Sequence, residues 1–179
     1  MNPTQNQAQT PAPPVAITPA DILRGAARYL ELHGWIQADP FGRTPDGGIF
    51  PLACVSGAMT MAVYGRPTDP DDPRNNDSES AEQYHRALRC LADALWADGR
   101  VAEQELSAPV YMSANQVVTD WNDEAGQTTA DVTAFLNAAA DDYDWAHATE
   151  DDLETYADAC VWNEKRPDRE GFLAWRAAQ

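Results

Sequence analysis

A chain of 179 residues, 44% of them hydrophobic, is long enough for one core and short for two. Its 29 acidic residues against 12 basic ones leave a formal net charge of −17, and such a surface repels polyanions over about 8 Å in physiological salt, which disfavours direct DNA or RNA binding. Three scattered cysteines, Cys54, Cys90 and Cys160, point to a reducing compartment, and no apolar run reaches the ~20 residues of a membrane span, so the expected location is the cytosol.

In chain order, residues 1–17 form a Gln, Pro, Ala and Thr tract expected to be a disordered arm, without the basic and apolar regions of a secretory signal. Thr18-Pro19-Ala20-Asp21 then opens a first helix: a capping hydroxyl, a proline at the first position and a carboxylate at the positive end of the dipole. Its stripe is Ile22, Leu23, Ala26, Ala27 and Leu30, and Gly34 ends it. Gly25 on that stripe reads as a point of close helix approach. A Pro- and Gly-rich loop over 39–48 leads to a short extended segment at Ile49, Phe50 and Leu52. A second helix over 53–64 follows, with Val55, Ala58, Met59, Ala62 and Val63 inward and Gly65 closing it.

Residues 66–79, with Pro67, Pro70 and Pro73, read as a flexible connector. Ser80 with Gln83 has capping-box spacing and predicts a third helix whose face is Tyr84, Leu88, Leu91, Ala92, Leu95 and Trp96. Ser113 with Gln116, Thr128 with Asp131, and Thr149 with Asp152 repeat the spacing. These open helices bearing Val117, Val118 and Trp121; Val132, Phe135, Leu136 and Ala139; and Leu153, Tyr156, Ala157, Cys160 and Val161. Pro167 and Asp168 introduce a last helix with Phe172, Leu173 and Trp175. The expected fold is all-α: six or seven short helices around one core over residues 18–179, with one or two very short extended segments at most.

Few residues carry chemistry. Cys54 follows Gly47-Gly48 and sits where a helix dipole could lower its pKa, but a thiolate nucleophile also requires a base, and His33, His85 and His147 are the only histidines. None stands in the context of a catalytic base; a small apolar core residue is the alternative reading of Cys54. No Cys or His pair has zinc spacing, and the run Asp141-Asp142-Tyr143-Asp144 fails as a calcium loop at the glycine and the final acid. Phosphate-cradling and nucleophile-elbow patterns are missing. No cofactor or metal is expected. The strongest signal is electrostatic: between Arg100 and Lys165 there is no Lys or Arg, and Asp141, Asp142, Asp144, Glu150, Asp151, Glu154 and Asp158 are candidates for an anionic surface facing a basic partner.

Two segments echo each other, Trp121-Asn122-Asp123 and Trp162-Asn163-Glu164. Each reads as an indole packed beneath a helix end, with the amide and carboxylate satisfying backbone groups at the turn. The order Gly34-Trp35-Ile36-Gln37, then Cys54-Val55-Ser56-Gly57-Ala58, then Trp121-Asn122-Asp123 through Gly126-Gln127-Thr128 resembles a family of short, uncharacterised actinobacterial and actinophage proteins. Its members carry Gly-Trp-x-Gln, Cys-x-x-Gly-Ala and Trp-Asn-Asp-x-x-Gly-x-Thr in the same order. The likeness spans roughly residues 17–140, and Gln127 stands where the family pattern expects Arg. A single lysine, Lys165, amid abundant Ala, Asp, Arg, Gly and Pro agrees with such an origin. The resemblance implies architecture, with Trp35, Trp121, Asn122 and Asp123 as its signature, and implies no catalytic residue. The expected function is therefore a non-catalytic interaction or accessory protein, phage-encoded in one form, of which nucleic-acid mimicry would be a variant. The alternatives are a small cysteine enzyme built on Cys54 and a structural particle component.

Overall fold

The computed structural model describes residues 17–44, 47–69, 72, 79–100 and 113–179. The expected all-α class holds. Seven helices follow one another among these residues: α1 Pro19–His33, α2 Val55–Tyr64, α3 Glu79–Ala97, α4 Ala114–Asn122, α5 Thr129–Ala146, α6 Glu150–Trp162 and α7 Arg169–Arg176. Among the described residues, extended pairing is limited to isolated bridges from Ala53 to Trp35 and to Phe41. The expected extended segment thus shifts to Ala53, while Ile49 and Phe50 are exposed. The N-terminal arm and most of the 66–79 connector lie outside the described residues.

Local chemistry places most helix starts. Thr18, Thr128 and Thr149 each accept from the backbone N–H three residues on, and Asp21, Asp131 and Asp152 return a carboxylate to the cap's own N–H, so all three are reciprocal capping boxes. Those hydrogen bonds hold the Asp131 and Asp152 carboxyls below the ordinary range. Ser80, by contrast, does not cap: α3 already begins at Glu79, which places Ser80 inside the first turn.

Helix α1 is the centre of the molecule and packs against α2, α3 and α5. Ala20, Leu23, Ala26 and Leu30 are fully buried there, joined by Val55 and Met59 of α2, Leu91 and Leu95 of α3, Val118 of α4, and Val132 and Leu136 of α5. Each Leu or Val so covered is worth about 1.5–3 kcal/mol. A Cβ on Gly25 would lie 3.1 Å from the Ala62 Cβ, so the expected close approach of α1 and α2 is real.

Helices α6 and α7 stand apart from this core. They share a small cluster of Tyr156, Cys160 and Phe172, with Leu173 and Trp175 packed alongside. The attachment to α5 is partly ionic. Arg176 of α7 approaches Asp144 at 3.6 Å and Arg169 pairs with Asp142; Arg24 of α1 also reaches Asp141 and Asp144 at 2.6 Å each, and Arg176 meets Asp152 of α6 at 3.3 Å. Partial burial pulls the Arg24 pKa down, but the hydrogen bonds and charges of Asp144 and Asp141 hold it above its usual value. Leu153 and Val161, expected to face inward, are exposed instead, because nothing in the described part of the fold covers that side of α6.

Candidate functional site

The three segments that carry the family resemblance, far apart in the chain, meet at one point. Asn122, the last residue of α4, is 2% exposed and uses both ends of its amide. Its Oδ1 accepts from the Trp35 indole N–H at 2.9 Å and from the Val55 backbone N–H at 3.0 Å; its Nδ2 donates to Asp123 Oδ1 at 2.7 Å and to the Ile36 carbonyl at 3.4 Å. Val55 is the first residue of α2, so one of that helix's orphan donors is satisfied by the end of another helix. Two acceptances and two donations fill most of what a primary amide offers.

Around this hub the chain is held in places that only the folded arrangement explains. Gln37 donates from Nε2 to the carbonyls of Asn122 (3.0 Å) and Glu124 (2.9 Å), which lack helical partners at the end of α4. Gln127 donates to the Trp121 carbonyl in the same way, and its own Oε1 is buried without a partner. An arginine at this position, which has donors and no acceptor, would leave no such oxygen. Ala38 sits at φ 71°, a left-handed conformation uncommon for alanine, and its N–H donates to Asp123 Oδ1 at 2.8 Å. Gly57 is required by contact: a Cβ there would stand 2.0 Å from the Pro40 carbonyl oxygen, which also accepts from the Cys54 N–H at 3.2 Å.

Cys54 is the N-cap of α2, and its sulfur accepts from the Gly57 N–H at 3.4 Å. Burial pushes its pKa up, and the Asp123 charge adds to this against the backbone N–H groups of Gly57 and Ser56. Burial thus works against any lowering of the pKa by the helix dipole, which is the direction expected of a core cysteine. The histidines are engaged elsewhere. His33 lies between the rings of Tyr29 (4.6 Å) and Phe50 (4.8 Å), His85 meets the edge of Tyr84 (5.3 Å), and His147 stacks on Tyr143 (3.9 Å) while its Nδ1 hydrogen-bonds the Tyr143 carbonyl. Among the described residues none of the three hydrogen-bonds Cys54, and no group of three or more His, Cys, Asp or Glu could hold a metal. No described helix is long and apolar enough to cross a membrane.

The seven candidate carboxylates divide into two sets. Asp144 is buried between Arg24 and Arg176, which corrects its placement on an outward surface; Asp141 and Asp142 are paired with Arg24 and Arg169. Glu150, Asp151, Glu154 and Asp158 are exposed on α6, with no cationic side chain within ion-pair distance among the described residues. At the end of that stripe Val161 is 75% and Trp162 88% exposed. The expectation that Trp162 packs beneath a helix end is therefore wrong, while Trp121, 2% exposed and 5.2 Å from the Phe135 ring, does so. The arginines that neutralise the first set were missed in the sequence. Each lies at least 24 residues from a carboxylate it meets, and no local spacing reports such pairs.

The profile of a family of unknown function (DUF6197) matches residues 14–142. That range takes in Trp35, Gln37, Cys54, Gly57, Asn122 and Asp123 and ends within α5, before α6 and α7. Comparison with curated proteins and with solved structures found no match.

Proposed function

The chain belongs to this family of unknown function, DUF6197, and we propose that it is a non-catalytic interaction or accessory protein whose anionic α6 face meets a basic protein partner. The observation that carries the reading is the exposure of Trp162 and Val161 at the end of the unpaired carboxylates Glu150, Asp151, Glu154 and Asp158. Spacing of the four acids along α6 puts them on one side of the helix. Carboxylates alone would be a solvated face, but an exposed indole costs free energy in water and is the side chain most often found at the energetic centre of protein interfaces. Acids around an apolar anchor favour a lysine- or arginine-bearing surface with an apolar recess, both by complementarity and by the rate of encounter.

This face lies beyond residue 142, so the reading attaches to residues outside the matched region. The hydrogen-bonded hub of Asn122 serves the fold under this reading, and Cys54 is part of it.

The test uses affinity capture from source-cell lysate with three forms of the full chain: wild type, Trp162→Ala, and a charge-reversed form with Glu150→Lys, Glu154→Lys and Asp158→Lys. The expected result is one basic partner retained by the wild type and lost from both variants, the charge-reversed form losing it even at low salt. Equal recovery of the same proteins by all three forms overturns the reading.

A further inference from the structure

Helices α3 and α5 both lie against α1, yet along their own seam they leave an open groove. Its two halves, ≈510 Å³ and ≈490 Å³, share Ala94, Ala97, Ala139 and Asp142 in their walls. Each half is within the roughly 300–1,000 Å³ of small-molecule sites. One half also has Pro19, Tyr143 and Cys90; burial, then the charges of Asp93 and Asp142, push the Cys90 thiol up to about 11, so it lies there neutral and adds to the apolar floor. The other half ends on Phe135, with the Arg100 guanidinium 4.7 Å above its ring.

Charge along the groove is uneven in a way that runs against the rest of the molecule. Of its acids, Asp142 is paired with Arg169, Asp98 with Arg100, and Asp131 is held in the capping box with Thr128. Among the described residues Asp93 is the acid with neither an ion-pair partner nor a capping box. At the Tyr143 and His147 end the rim carries Arg86 and Arg89, and among the described residues neither has a carboxylate within ion-pair distance. Among the described residues these two neighbouring arginines without ion-pair partners outnumber Asp93, the one unpaired acid in the same walls, and leave a net cationic spot at the mouth of an alanine-lined slot in a chain of net charge −17.

We propose that this groove binds a small amphiphilic anion, its carboxylate or sulfonate head on Arg86 and Arg89 and its apolar body along Ala94, Ala97, Ala139 and Cys90 toward Phe135. Arginine suits the head because its planar fork binds such groups through two parallel hydrogen bonds. The single head matters. A polyanion would bring further charges against the acidic surroundings, whereas one head group senses mainly what lies within about a Debye length, roughly 8 Å. This site is independent of the α6 face.

Three probes decide it at physiological salt: the fluorescent anion anilinonaphthalene sulfonate, decanoate, and decanol. The expected result is enhanced dye fluorescence on the folded protein, displaced by decanoate at a concentration about tenfold below that required of decanol. Replacing both arginines (Arg86→Gln with Arg89→Gln) should make the two competitors equal. Ala97→Trp, at an exposed position shared by both halves, should abolish dye binding without changing the thermal midpoint. In the wild-type protein, decanoate should also slow alkylation of Cys90, a readout that does not depend on any variant folding. No enhancement, equal competition by decanoate and decanol on the wild type, dye binding that survives Ala97→Trp, or unslowed alkylation of Cys90 would each overturn the proposal.

Discussion

The segments Trp121-Asn122-Asp123 and Trp162-Asn163-Glu164 end α4 and α6 with nearly the same side chains and have opposite fates. Trp121 and Asn122 are each 2% exposed, whereas Trp162 is 88% exposed. The end of α4 is closed from a distance: Gln37 and Gln127 supply donors to its carbonyls, and Asn122 reaches Trp35 and Val55. The end of α6 is closed locally. Glu164, at φ 54°, donates to the Val161 carbonyl and Lys165 to that of Cys160, the paired bonds of a Schellman turn, while Asn163 folds back on Ala159 at 2.7 Å. A turn that can satisfy itself leaves its indole free for another use; a turn satisfied by remote segments becomes the knot that ties them.

The sharpest way to break this comparison is to delete the same amide at both places. Asn122→Ala strands the Trp35 indole N–H and the buried Val55 N–H, and at roughly 1–3 kcal/mol for each unsatisfied group the expected loss is about 3–5 kcal/mol in urea unfolding. Asn163→Ala, at an exposed site, should cost no more than about 0.5 kcal/mol. Comparable losses would mean that the two turns carry equal weight.

Gly57→Ala comes next. Its Cβ would press on the Pro40 carbonyl oxygen, a backbone atom that cannot rotate away, and the expected cost is about 3 kcal/mol, seen as a lowered unfolding midpoint with the α1–α2 loop shifted. The smallest effect has the opposite sign. Glu164→Gly relieves a left-handed conformation that glycine adopts freely, and should stabilise the end of α6 by about 1 kcal/mol, read as slower amide exchange at Asn163 and Lys165 with the rest of the chain unchanged.

Much of the architecture was legible because it is made by near neighbours. The capping boxes at Thr18, Thr128 and Thr149 join residues three apart, and the stripes of α1, α4 and α5 recur at the helical period, so short windows of sequence contain the interactions that form them. The hub was half legible. Trp35, Asn122 and Asp123 could be singled out as a signature, but not that Asn122 binds the first N–H of α2, some 67 positions earlier. Cys54 left two readings open for the same reason: its place at a helix start is local, while the burial and the nearby Asp123 that raise its pKa come from elsewhere in the chain.

By itself, then, the amino-acid order determined where most of the helices begin and which of their sides are apolar, since both are settled within a turn or two of backbone. Only tertiary structure decided which apolar sides find a cover and which charges find a counter-ion. Val118 and Val161 are alike in sequence pattern, yet the first lies in the main core and the second faces outward on α6. The difference is that hydrophobic burial needs a second surface at the right distance, and that surface is supplied by residues no local window includes.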